Sequence, residues 1–187
     1  LTPVQLDQEL QAIEKALEQS QHRDRFALDR DLQQRRAGLV DALVQRKPNF
    51  LHFSGHGNKA GALVLLDDQG ERGVAVPPVA LTDLFGTLRQ VQGSDVRFVA
   101  LSACFSAQQA LAIAQHVPCV IGMEGVVFNE TCLPFFTTLY GAFADGQPVA
   151  VAFQLACAAL AVGAVPAARA PQIFYRSDVT PSSHRLI

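Results

Sequence analysis

The chain has 187 residues, of which 49% are hydrophobic and 17% charged, and its formal net charge is −2. That length suits one well-buried domain, and the balance of 15 basic against 17 acidic residues leaves no electrostatic footprint for nucleic acid. The longest apolar stretch, Val149 to Val165, is interrupted by Gln154 and Gly163 and falls short of the roughly 20 residues a membrane span requires.

Taken in order, Leu6, Leu10, Ile13 and Leu17 recur at helical spacing and predict an amphipathic helix over Val4 to Gln19, with Thr2 as its N-cap and Pro3 in its first turn. Arg25 to Leu28 alternates and reads as a short strand. Leu32, Leu39, Leu43 and Val44 predict a second helix, stopped by Pro48. Basic residues between His22 and Arg36 are interleaved with Asp24, Asp29 and Asp31, the pattern of a solvated helix face. Asn49 to Phe53 is an apolar run ending in Ser54-Gly55-His56-Gly57, and it predicts a strand buried on both faces. Ala62 to Leu66 is another apolar run, followed by an acidic hairpin tip from Asp67 to Gly73 that lacks the ligand spacing of a calcium loop.

Pro77 to Val91 carries Leu81, Leu84, Phe85 and Leu88 at helical spacing and predicts a crossover helix. Val96 to Leu101 is a second apolar strand that ends in Ser102-Ala103-Cys104, and a helix from Ala107 to His116 follows at once. Pro118 to Met123 predicts the next strand, Glu130 to Ala144 and Val149 to Val162 two helices, and Gln172 to Tyr175 a last strand; Val162 to Pro171, rich in Ala and Pro, reads as a loop. This alternation defines an α/β class with a mostly parallel sheet between helices. Strand, crossover helix and strand bring parallel strands to one sheet edge, where the ligands of open α/β sheets collect. His56 and Cys104, each just past its strand, are thereby expected on one rim.

The four cysteines, 104, 119, 132 and 157, match no zinc spacing and form no CxxC pair, so no metal is expected. Cys119 and Cys157 lie in apolar runs and read as small hydrophobes, and Cys132 as a packing residue. No N-terminal signal pattern is visible, so a reduced, cytoplasmic thiol protein is expected. The chain opens at Leu1, not Met, and is expected to be a fragment of a longer one.

A thiol attacks only as the thiolate and needs a base nearby. Cys104 stands at a strand-to-helix junction, whose free N–H groups favour an anion, and His56 is the candidate proton carrier. Gly55 and Gly57 allow a sharp turn and a close approach to substrate. The main-chain N–H groups of Gly57 and Cys104 are candidates for an oxyanion hole. Read alone, His56 would be a turn cap and Cys104 a buried thiol; their shared rim outweighs both readings. Gly55-x-Gly57-x-x-x-Gly61 misses the spacing of a phosphate loop. His52 reads as a core histidine, and His22, His116 and His184 as surface residues.

His56 precedes Cys104 by 48 positions, and caspases place their histidine about 50 residues upstream of a Q-A-C tripeptide. The set His52-Phe53-Ser54-Gly55-His56-Gly57, Leu101-Ser102-Ala103-Cys104, Val120-Ile121-Gly122-Met123, Phe135 to Tyr140 and Gly146-Gln147-Pro148 resembles the CHAT domain, a branch of the caspase and separase superfamily. The resemblance, which spans nearly the whole chain, implies a caspase-like three-layer sandwich forming a single domain, a His56/Cys104 dyad, endopeptidase activity and no cofactor. It further implies a partner protein as substrate, a gasdermin-like protein in bacterial antiphage defence being one, and control by attached sensor or repeat modules; from charge and hydropathy, neither nucleic acid nor membrane is expected as a partner. The rival expectations are an inactive scaffold of the same fold that docks partners and a doubly wound nucleotide-binding module. Ser102 stands where caspases carry a substrate-binding glutamine, so Asp-directed cleavage is not implied. The fold's usual first strand is expected either to be missing before Leu1 or to lie outside this sequence. Separase-like members use an acid after the third motif to bind a basic P1 residue, which makes Glu124 and Glu130 the candidates for that role.

Overall fold

The computed structural model describes residues 3–30, 35, 37–163 and 171–187. They form two compact units, one of the described residues within 31–126 and 171–178, the other of those within 1–30, 127–170 and 179–187.

The first unit is built on a four-stranded sheet. Its strands are β1 (Phe50–Ser54), β5 (Phe98–Ser102), β6 (Cys119–Met123) and β7 (Pro171–Tyr175), in the order β1-β5-β6-β7. β1, β5 and β6 run parallel, and β7 closes the edge antiparallel to β6. β5 and β6 are buried at every position, as expected of apolar runs at the centre of a sheet covered on both faces. β1 departs from its expectation: all five residues, His52 among them, are only half-buried, because β1 is an edge strand.

The chain then makes a second, antiparallel sheet from β2 (His56–Gly57), β3 (Leu63–Leu66) and β4 (Gly73–Val76), in that order. The acidic tip at residues 67–72 turns β3 into β4, with Asp67 accepting the Glu71 N–H at 2.8 Å. The helices of this unit are α2 (Gly38–Arg46), α3 (Pro78–Leu88) and α4 (Ala107–Ile113). Pro78 opens α3, where its missing N–H costs nothing. Leu81, Phe85 and Leu88 of α3, Ala110 and Ile113 of α4, and Val99, Leu101 and Val120 of the sheet belong to one buried cluster.

The second unit is helical: α1 (Pro3–Glu18), α5 (Asn129–Ala144) and α6 (Val149–Val162). Aromatic rings fill it, with Phe135 edge-on to Phe136 at 5.0 Å and to Phe153 at 5.7 Å, and Tyr140 edge-on to Phe143 at 6.0 Å. Burial, and after it the Glu9 carboxylate, push the Tyr140 hydroxyl's pKa up.

The mixed α/β class with a mostly parallel sheet is that of the expected caspase-like sandwich. Arg25 to Leu28 forms no strand; residues 23–25 make a single 3-10 turn, and the Phe26 N–H donates back to the Arg23 carbonyl at 3.1 Å. The expected Thr2 cap, Leu32 and most of the expected 162–171 loop lie outside the described residues. His22, His116 and His184, read as surface residues, are half-buried. Among the described residues no helix is long and apolar enough to cross a membrane.

Candidate active site

β1 and β5 are in register from Phe50 opposite Phe98 to Ser54 opposite Ser102, and the Gly55 N–H extends the pairing by donating to the Ser102 carbonyl at 3.1 Å. Both strands therefore end together. Two residues beyond each end stand His56, exposed, and Cys104, half-buried.

The main chains that carry them touch. A Cβ built on Gly57 would lie 1.9 Å from the Cys104 carbonyl oxygen and 3.1 Å from its carbonyl carbon. Only a residue without a side chain fits there. Gly57 faces Leu63 across β2 and β3, and the flanking Asn58 N–H donates to the Ala62 carbonyl at 3.0 Å. In an antiparallel ladder hydrogen-bonded and non-bonded pairs alternate. Gly57 thus occupies a non-bonded position, and its N–H points off the open edge of β2, away from β3.

The turn after β5 is held from three directions. Ser106 is buried, and its Oγ lies 3.0 Å from the Leu101 carbonyl and 2.8 Å from that of Ala103 while accepting the Met123 N–H at 2.9 Å. Phe105 adopts the left-handed region at φ 56°, a conformation non-glycine residues rarely take and one that marks functional turns. The Phe105 N–H donates to the Gly125 carbonyl at 2.8 Å. On the next strand, a Cβ on Gly122 would sit 2.7 Å from the Ser106 carbonyl oxygen, so α4 rests directly on β6.

Of the residues expected to meet substrate, Glu124 follows β6 and is exposed, and Gln172 of β7 donates Nε2–H to its Oε2 at 2.6 Å. Ser102 is fully buried opposite Ser54. Glu130 is exposed on α5 of the helical unit. Cys132 and Cys119 are buried and Cys157 is half-buried, in keeping with packing roles; burial pushes the thiol pKa of Cys119, and that of Cys157, up. Sequence reasoning missed Phe105 and Gln172, whose partners, the Gly125 carbonyl and the Glu124 carboxylate, are distant in the chain, and it read Ser106 as an ordinary small residue at a strand end that could hydrogen-bond near the dyad.

The mostly parallel α/β sheet is that of a caspase-like sandwich, and a histidine and a cysteine stand just past the ends of two of its adjacent strands. A family model described as the CHAT domain matches residues 5–172, and the chain belongs to that family. It is also similar to a protein of Gillisia limnaea named a probable protease, with 25% identity over 145 residues that cover 75% of this chain and 25% of the relative. The chain therefore spans about a quarter of that relative's length.

Proposed function

We propose that the chain is a cysteine endopeptidase domain in which Cys104 is the nucleophile and His56 its proton carrier. The observation that supports this most directly is the packing of Gly57 on the main chain of Cys104, since it joins the two motifs at one sheet edge. The Cys104 thiolate attacks the scissile carbonyl carbon, and the carbonyl electron pair moves onto oxygen, where the N–H groups of Gly57 and Cys104 receive it. Collapse expels the amine, which takes a proton from the His56 imidazolium, and leaves a thioester. Water attacks the thioester, gives its proton to His56, and releases the acid and the thiolate.

In this reading Glu124, just past β6, selects a basic P1 side chain, Glu130 is the other candidate for that role, and buried Ser102 contributes only the shape of the strand end. The two units act as a single domain, a reading supported by a family match that runs through both. The substrate is a partner protein, with a gasdermin-like protein in bacterial defence as the first to try, and attached sensor or repeat modules control access in the cytoplasm. The family membership and the similarity to a probable protease support a protein as the substrate.

The test is a peptide-library cleavage profile run with a thiol-reactive peptide probe. Labelling at Cys104 and cleavage after Lys or Arg are expected, both lost in Cys104→Ala, with cleavage also lost in His56→Ala. Cleavage that survives Cys104→Ala would refute the mechanism, and a preference for Asp at P1 would refute the acidic site.

A further inference from the structure

We infer that Gln172 is a positioning residue for substrate selection, acting through Glu124; the inference rests on the reading of Glu124 given above. Glu124 leaves β6 at its C-terminal end, and its neighbour Gly125 accepts the Phe105 N–H at 2.8 Å. The carboxylate is thereby carried one residue away from a direct main-chain tie to the residue after the proposed nucleophile. An exposed glutamate left to itself samples several rotamers, and holding it still costs side-chain entropy. Gln172, half-buried in β7 and opposite Gly122 in the ladder, meets that cost by donating to Oε2 at 2.6 Å, a charge-assisted hydrogen bond.

The choice of an amide matters. A lysine or arginine at position 172 would hold the carboxylate equally well but cancel the charge that attracts a basic side chain. A neutral donor orients one oxygen and leaves the negative charge intact, with Oε1 open to an incoming cation. Gln172 makes no contact with the reacting atoms in this scheme; its influence reaches the substrate through Glu124.

The experiment compares matched peptides bearing Lys, Arg or norleucine at P1, cleaved by the intact protein. With Gln172→Leu, kcat/KM for the basic peptides is expected to fall about tenfold, the worth of one hydrogen bond to a charged group, and mainly through KM. The norleucine peptide and the rate of Cys104 alkylation by iodoacetamide should change little, which also reports that the variant is folded. In a Glu124→Gln background the same substitution should add no further loss. Equal losses on the norleucine peptide, an undiminished effect without Glu124, or an unaltered preference for Lys and Arg would each overturn the inference alone. A wild-type protein with no preference for basic P1 residues would instead overturn the Glu124 reading on which it stands.

Discussion

The α-carbon of Gly57 and the carbonyl oxygen of Cys104 are so close that a methyl group placed on the former would lie 1.9 Å from the latter. No rotamer change relieves such a contact, because both partners are main chain. The residue beside His56 and the residue proposed as nucleophile are consequently held by the same few atoms, and neither strand end can shift without the other. This contact ranks above the spacing of the two motifs, because spacing alone does not require that they meet.

Gly57→Ala should therefore separate β2 from the turn after β5. The expected outcome is a destabilisation of about 2–3 kcal/mol by urea unfolding, in the range of overpacked sites. Peptide cleavage should fall about a hundredfold or more, since a shift near 1 Å at a reacting centre costs that much. Wild-type stability in this variant would show that the chain has room the structure does not offer.

Ser106→Ala removes one hydroxyl that serves three main-chain groups. Met123 then keeps a buried N–H without its acceptor, a loss of about 1–3 kcal/mol. Cleavage should decline as well, because the carbonyls of Leu101 and Ala103 flank the turn that carries Cys104. Denaturant midpoints and initial rates measured on one preparation check both halves.

Gly122→Ala tests how tightly α4 sits on β6. The added Cβ would come within 2.7 Å of Ala110 Cβ and of the Ser106 carbonyl oxygen, and the helix must move outward to admit it. A cost of about 1–3 kcal/mol is expected, with a lower melting temperature as the readout.

Alkaline pH should destabilise the protein in a way that Cys119 helps to set. Burial raises the folded-state pKa of its thiol above the ordinary value of 9.0. Below that pH the thiol is neutral whether folded or unfolded, and its contribution is fully present. As pH rises beyond it, the unfolded chain loses the proton while the folded chain keeps it, so stability falls. The slope from one such group is about 1.4 kcal/mol per pH unit at most. Cys119→Ala, compared with wild type from pH 8 to 10.5, should show the shallower decline; parallel curves would contradict this account. Tyr140 and Tyr175, both raised chiefly by burial, add to the loss above their ordinary value of 10.0.

Much of the sheet was legible from residue types. β5 and β6 are apolar at nearly every position, and only a covered central strand asks for that. β1 has the same look, yet it is half-exposed, because an apolar run does not say which strand stands at the edge. β2 has two residues and β4 four, too few for a period to emerge, so the antiparallel sheet of β2, β3 and β4 as a whole was not foreseen, although the β3 run and the tip after it were. The His56 and Cys104 motifs were readable since turn glycines and strand ends have local signatures. Ser106 was readable only as a small residue able to hydrogen-bond near the dyad, not as the acceptor of the Met123 N–H, and Gln172 was not readable at all, since a glutamine on a last strand gives no hint of a carboxylate on its neighbour. Half-buried His22, His116 and His184 were misjudged for a related reason, their surroundings being assembled from elsewhere in the chain.

The hydrogen bond from Met123 to Ser106 has a practical consequence. An amide proton leaves for solvent only when the bond holding it opens, and this one is held by the side chain that braces the cysteine turn. Deuterium uptake at a single backbone position therefore clocks how often the turn comes apart, and it does so without a substrate, an inhibitor or a label on the sulfur itself.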